Sequence, residues 1–246
     1  MKRRDLLRGA TATAAAMTMI DTLMADTNEP QAKHQLKQGS IVLFQGDSIT
    51  DVGRNKEINQ ANSHSGFGRG YPMLIGSQLL MEYPEFQLEI FNRGISGHKV
   101  PDLDKRWQKD CIDLKPNLLS ILIGVNDIWH KLNGKYDGTV ETYEAGLKAL
   151  LQRTRVALPE LSIVVCEPFV LRCGAVSDDW FPEFDDRRKA CNRVAESMNL
   201  TLVEFQSMFN KACEKAPPTY WAHDGVHPTM AGHALMAATW RKTVGV

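Results

Sequence analysis

The sequence carries no excess of charge of either sign. Lysine and arginine together number 29, as do aspartate and glutamate, so the formal net charge is zero. Nucleic acid is bound through a basic surplus, and none is present, so no nucleic-acid partner is expected. Long apolar runs are also missing. The N-terminal stretch from Gly9 to about Ala25 is too short to span a bilayer and is interrupted by Asp21, so no stable membrane insertion is expected. Cysteine is scarce and odd in number: Cys111, Cys166, Cys173, Cys191 and Cys213. Their irregular spacing is neither a disulfide framework nor a zinc pattern. Cys166 ends an apolar run and reads as a small core residue. Cys166 and Cys173 flank a short loop and are the pair an oxidising compartment could join. No cysteine has the surroundings of a nucleophile. There is no internal repeat, no low-complexity tract and no second domain boundary.

What is present suits one globular domain with a full core: 246 residues, 43% hydrophobic and 24% charged. The first residues stand apart. Lys2-Arg3-Arg4 precedes Asp5-Leu6-Leu7-Arg8 and the small-residue run to Ala25, a pattern like a twin-arginine export leader. Residues 1–25 are therefore expected to be an export signal, which places the protein outside the cytoplasm, periplasmic or extracellular. The alternative is a basic leader on a cytoplasmic protein. Residues 26–39 read as a flexible segment.

From residue 40 onward, short apolar runs alternate with amphipathic stretches. The runs are 41–44, 88–91, 118–123, 163–165 and 200–205, each rich in large or β-branched side chains, as in a buried parallel sheet. Residues 139–157 place Val140, Tyr143, Leu147 and Leu150 on one helical face. Residues 72–83, 183–198 and 229–243 also read as helices. This alternation predicts a doubly wound α/β domain with helices on both faces of the sheet. Two segments break it. Residues 51–71 and 168–182 are polar or rich in glycine and proline, and both follow predicted strands, where ligands bind in such folds. Both are candidates for a substrate rim.

Ser48 lies just past the first strand in Gly46-Asp47-Ser48-Ile49-Thr50. By itself this is also ordinary turn and helix-cap chemistry. The hydrolase elbow Gly-x-Ser-x-Gly is not met, because residue 50 is Thr. Near the other end, Asp224-Gly225-Val226-His227-Pro228 puts a carboxylate three residues before a histidine. Gly225 permits a tight turn, and Pro228 suits a helix start. Such a turn lets Asp224 reach the His227 Nδ1–H, leaving Nε2 to take a proton from serine. The bland reading is a capping turn with a surface histidine. A metal reading through His223, His227 and His233 is opposed by Gly225 and Pro228, which disfavour a helix there, and no metal is expected. Asn92-Arg93-Gly94-Ile95-Ser96-Gly97 follows the second strand and Ile123-Gly124-Val125-Asn126-Asp127 the third. A glycine at 94 allows close backbone approach, and Asn126 offers a side-chain amide, as an oxyanion site needs.

Taken together, Gly46-Asp47-Ser48, Gly94, Gly124-x-Asn126-Asp127 and Asp224-x-x-His227-Pro228 resemble the four motif blocks of the SGNH (GDSL) hydrolase family, in the family's order. The resemblance spans 41–240. It implies a three-layer α/β/α fold around a flavodoxin-like five-stranded parallel sheet, with residues 40–246 as a single SGNH hydrolase domain. It implies Ser48 as nucleophile, His227 as base and Asp224 as its partner. The Ser48 N–H, the Gly94 N–H and the Asn126 side chain would be the oxyanion donors. No metal or organic cofactor is implied. The block Gly-Asp-Ser-Ile-Thr in place of Gly-Asp-Ser-Leu resembles bacterial members that are carbohydrate O-acetylesterases.

The expected activity is hydrolysis of small acyl esters, acetyl esters of a saccharide first, through an acyl-enzyme. A lysophospholipase or arylesterase is the alternative, and a non-catalytic carbohydrate-binding protein is the alternative of another class. A flavodoxin-like flavin binder is disfavoured by Asp47 and Asp51 where a phosphate would sit. Expected substrate contacts are Asp47, Arg54, Tyr71, Trp180 and Trp221, with Trp129 and Arg69 close to the same loops. Thr50 and Asp127 are supporting candidates, and His98 and His130 neighbour the motifs without an assigned role. Nothing in the pattern sets an oligomeric state.

Overall fold

The computed structural model describes residues 34–246. The expected export leader, residues 1–25, lies outside the described residues. Five strands form one parallel sheet: β1 (Ile41–Gly46), β2 (Glu89–Asn92), β3 (Leu118–Leu122), β4 (Ser162–Cys166) and β5 (Thr201–Val203), in the order β2-β1-β3-β4-β5. Every strand is short and apolar, and each alternates its side chains between two cores. Val42, Phe44, Leu118, Leu122, Val164 and Cys166 enter one core, while Leu43, Leu119, Ile121, Ile163 and Val165 enter the other. Both faces must then be covered, which is why helices lie on both.

Ten α-helices connect and cover the strands among the described residues. They are α1 (Ser48–Asp51), α2 (His64–Phe67), α3 (Tyr71–Glu82), α4 (Val100–Asp110), α5 (Val125–Leu132), α6 (Val140–Ala157), α7 (Glu183–Ser197), α8 (Phe205–Cys213), α9 (Pro218–Trp221) and α10 (Met230–Val244). Ile75 and Leu79 of α3, Phe209 of α8 and Trp240 of α10 fill the first core. Trp107 of α4, Leu147 and Leu151 of α6 and Val194 of α7 fill the second. The three-layer α/β/α architecture is the predicted one, and four predicted helices appear within a residue or so of their expected ends.

Six helices were not predicted, the two longest being α4 and α8. In α4, Pro101 looks like a breaker, but it occupies a first-turn position, where its missing N–H is harmless. In α8, Phe205 was read as the end of a strand; it opens the helix instead and packs in the core against Tyr71 and Phe169. The segment 26–39 was expected to be flexible, yet its described part is tied down. The His34 ring is hydrogen-bonded to the Thr201 hydroxyl at 2.8 Å, and the Gly39 N–H donates to the Phe86 carbonyl at 2.7 Å.

Cys166 and Cys173, the pair the sequence offered for a bridge, are both free. Cys166 is buried at the end of β4, and the half-buried Cys173 points its thiol at the Ala222 carbonyl, 3.3 Å away. Burial pushes the Cys111, Cys166 and Cys191 thiols up to about 12, far from a reactive thiolate.

Strand order reverses between β1 and β3, so the chain leaves their carboxyl ends in opposite directions. A crevice forms at such a switch point. Ser48 follows β1 and Asn126 follows β3, which brings both to that crevice.

Candidate active site

Ser48 is the first residue of α1 and is half-buried. Asp47 caps the helix, its carboxylate accepting the Ile49 N–H at 3.0 Å. The Ser48 N–H therefore sits in the first turn without an intrahelical acceptor. The Ser48 Oγ lies 2.9 Å from His227 Nε2. On the other side of the ring, His227 Nδ1 lies 2.7 Å from Asp224 Oδ2. Asp224 Oδ1 accepts the backbone N–H of His227 at 2.7 Å and of Val226 at 3.0 Å. Burial alone would raise the Asp224 pKa. The bonds from the His227 ring and from the two amides outweigh it and hold the carboxyl below its ordinary range. An ionised Asp224 favours a proton on Nδ1, and this leaves Nε2 as the acceptor facing the serine hydroxyl.

The Asp224–His227 turn is braced from behind by the segment 168–182. The Leu171 N–H donates to the Gly225 carbonyl and the Ala175 N–H to the Asp224 carbonyl, each at 2.8 Å. Gly225 has φ +86°, and a Cβ there would stand 2.5 Å from the Leu171 carbonyl oxygen. The segment 168–182, a candidate for the substrate rim, thus has a supporting role at this turn. Val170, Leu171, Val176 and Trp180 are buried, and the segment acts mainly as a buttress.

Asn126, at the second position of α5, is buried, and its amide donates to the His98 carbonyl at 3.2 Å. The loop after β2 thus meets the loop after β3. Gly94 differs from expectation. Its N–H donates to Asn92 Oδ1 at 2.9 Å, so it is already satisfied. The glycine is needed because α1 packs against it: a Cβ would stand 2.5 Å from the Asp51 nitrogen. Further along the same loop, the Gly97 N–H has no acceptor among the described residues, and Gly97 is half-buried. Sequence reading missed Gly97. The signal was a second glycine in Gly94-Ile95-Ser96-Gly97, here with φ +81°.

The loop is anchored to α1 and the turn after it. The buried Asp51 carboxylate accepts both the Ser96 N–H and the Ser96 hydroxyl at 2.9 Å, and pairs with Lys56 at 2.9 Å. Arg54 Nε donates to the Gly94 carbonyl at 2.7 Å.

The expected substrate contacts are largely corrected. Asp47 is 1% exposed and acts as a helix cap. Arg54, also buried, holds Gly94 rather than facing solvent. Tyr71 is fully buried beneath Thr50, stacked beside His233. Trp180 is buried against Trp129 and Phe184. Trp221 spends its indole N–H on the carbonyls of Ala212 and Ala216. Large side chains in loops were read as rim residues, but the loops are folded over apolar ground and these rings fill it. The indole that does stand at the site is Trp129, its ring centroid 5.9 Å from that of His227. His233 is not beside His227 as a ligand partner; its Nδ1 accepts the Tyr71 N–H at 3.2 Å.

Asp127, next to Asn126, is fully buried. One oxygen accepts the Val100 N–H at 3.4 Å and the other has no partner among the described residues. Burial lifts Asp127 to about 7 against the pull of Arg187, and lifts Asp47 to about 7 with repulsion from Asp127 added. His98 accepts from Arg106 Nε, and His130 flanks Gly97.

Comparison with known proteins shows the family. The model of the GDSL-like lipase/acylhydrolase family matches residues 44–235. An acetylxylan esterase of Geobacillus stearothermophilus is 33% identical over 215 residues, covering 86% of this chain and 96% of that protein. A solved structure of a GDSL-like protein from Parabacteroides merdae superposes with a TM-score of 0.84 at 49% identity, covering 87% of this chain and 99% of the other. A variant of an acetyl-xylooligosaccharide esterase from Geobacillus superposes with a TM-score of 0.77 at 33% identity, covering 86% and 96%. With a serine, a histidine and a carboxylate in hydrogen-bonded series at the switch point of this sheet, the chain belongs to the GDSL-like lipase/acylhydrolase family and is a carboxylic ester hydrolase.

Proposed function

We propose that the protein removes acetyl groups from a carbohydrate through an acyl-enzyme on Ser48. The observation that carries this reading is the hydrogen-bonded series Ser48–His227–Asp224, at 2.9 Å and 2.7 Å. His227 Nε2 takes the Ser48 proton as Oγ attacks the acetyl carbonyl. The oxyanion is stabilised by the Ser48 and Gly97 N–H groups and the Asn126 amide. His227 then protonates the departing sugar hydroxyl. A water, deprotonated by His227, attacks the acetyl-serine, and acetic acid leaves as Ser48 regains its proton. Asp224 keeps the proton on Nδ1 and steadies the imidazolium.

The acetyl-sugar substrate is supported by the acetylxylan esterase relative, which aligns over nearly its whole length. Solved catalytic variants of that esterase replace a serine, an aspartate and a histidine, the last two three positions apart, as Asp224 and His227 are. Trp129 beside His227 supplies an aromatic face on which a sugar ring can stack. Export through residues 1–25 belongs to the same reading, since Arg3-Arg4 begins the leader and a polysaccharide is met outside the cell. Among the described residues no helix is long and apolar enough to cross a membrane.

The test is hydrolysis of para-nitrophenyl acetate, butyrate and octanoate, and of acetylated xylo-oligosaccharide, by wild type, Ser48→Ala and His227→Ala. Acetate and oligosaccharide turnover lost in both variants is the expected result. A preference for octanoate moves the assignment to a lipid-directed esterase. Wild-type rates no higher than those of Ser48→Ala on every ester overturn the serine mechanism.

A further inference from the structure

Behind the Gly94–His98 loop lies a group of three arginines that the hydrolytic mechanism does not use for chemistry. Arg54 and Arg93 are 5% and 6% exposed, and the Arg106 side chain is 13% exposed. Arg54 comes from the turn after α1, Arg93 from the end of β2 and Arg106 from the middle of α4, so three separate elements deliver them. One loop links them: Arg93 precedes Gly94, Arg54 Nε donates to the Gly94 carbonyl and Arg106 Nε to His98 Nδ1. Burial is the first cause that lowers each guanidinium pKa, and the field of Arg93 adds to it at both Arg54 and Arg106.

Each arginine is partly held by the protein. Arg54 Nε donates to the Gly94 carbonyl. Arg93 Nη1 and Nη2 donate to the side chain and carbonyl of Asn59, and its guanidinium lies 5.3 Å from the Phe91 ring centre. Arg106 Nε donates to His98 Nδ1 and Nη1 to Asp110 at 2.9 Å. Each also keeps one nitrogen shut off from solvent with no acceptor among the described residues: Arg54 Nη1, Arg93 Nε and Arg106 Nη2.

The surrounding charge does not balance. Asp110 is the sole carboxylate hydrogen-bonded to any of the three guanidiniums among the described residues. Asp51, which also faces Arg54, is occupied by Ser96 and Lys56. Asp102, which faces Arg106, is occupied by Lys99 and Lys105. Buried positive charge without a counter-charge is strongly unfavourable, and an N–H without an acceptor adds its own desolvation cost. A small anion would relieve both, because guanidinium N–H groups are strong charge-assisted donors.

We propose that Arg54, Arg93 and Arg106 form a buried site for a small monovalent anion of chloride size, located behind the Gly94–His98 loop. The site is separate from the Ser48–His227 pair and does not depend on the ester substrate. Bound there, the anion locks α4 and the turn after α1 to the loop that carries Gly97.

Bromide is the probe. Crystals of the wild-type protein soaked in bromide are expected to show an anomalous peak within hydrogen-bond reach of at least two of the three free guanidinium nitrogens. The Tm is expected to be about 2–4 °C higher in chloride than in gluconate at equal ionic strength. Arg106→Gln is expected to abolish that difference. No anomalous peak there, or ordered water in its place, overturns the proposal, as does a wild-type Tm equal in the two salts. Both wild-type measurements stand should Arg106→Gln fail to fold.

Discussion

At the scale of single residues, the site separates groups that react from groups that aim them. His227→Ala is expected to lower kcat by on the order of 10⁶-fold, and Asp224→Asn by on the order of 10⁴-fold, because the amide leaves the imidazole free to adopt the wrong tautomer. Steady-state kinetics on para-nitrophenyl acetate, with unchanged circular dichroism, checks both. Asn126→Ala removes one of the proposed oxyanion donors, and it is expected to cut kcat about 10²–10³-fold with little change in KM. A loss confined to KM would assign Asn126 to substrate binding instead. Asp51 touches no reacting atom; its buried carboxylate holds Ser96, the neighbour of Gly97. It is a positioning residue, and Asp51→Ala is expected to lower kcat more than it raises KM, with Asp51→Asn recovering part of the loss.

Elements decide where these residues meet. The turn from β1 into α1 and the loop after β2 pack backbone to backbone at Gly94, where no Cβ fits. Gly94→Ala is expected to destabilise the fold by about 1–3 kcal/mol through overpacking, measurable as a lower urea midpoint. Catalysis in that variant is expected to fall as well, because the displaced loop carries Gly97, the proposed oxyanion donor. The Asp224–His227 turn has the same character: it is made by hydrogen bonds from 171 and 175, not by its own sequence alone. The helices α4 and α8 were invisible to periodicity for local reasons. A first-turn proline and a run of charged residues masked one, and an apolar start merged the other with β5.

For the whole molecule, the two buried carboxyls near the site make stability depend on pH. Asp47 and Asp127 are raised to about 7 in the fold, whereas in the unfolded chain they titrate near the ordinary carboxylate value of about 3.9. Between those values the native state holds protons that the unfolded state has released. Stability therefore falls as pH rises from about 4 to about 7, by at most a few kcal/mol for each group. Asp127→Asn, which stays neutral, is expected to flatten this decline. Its Tm should match wild type near pH 4 and exceed it at pH 8. Melting curves of both proteins across that range check the point, and parallel curves would refute it.

The alternation of five apolar runs with helical stretches was enough to read the layered sheet, because burial on both faces forces nearly continuous apolar strands. The pairing of Asp224 with His227 was likewise legible, since both sit in a short motif whose local geometry is written in adjacent residues. What surrounds them was decided by tertiary structure. Tyr71, Trp180 and Asp47 have the chemistry of ligand contacts, but their burial depends on distant elements folding over them. The exchange of Gly94 for Gly97 as the free donor depends on Asn92 turning back to take the nearer N–H. The gathering of Arg54, Arg93 and Arg106 needs three elements far apart in the chain. Spacing within a motif records local backbone geometry, whereas exposure and long-range pairing are properties of packing, and those come into being only when the sheet and its helices close on one another.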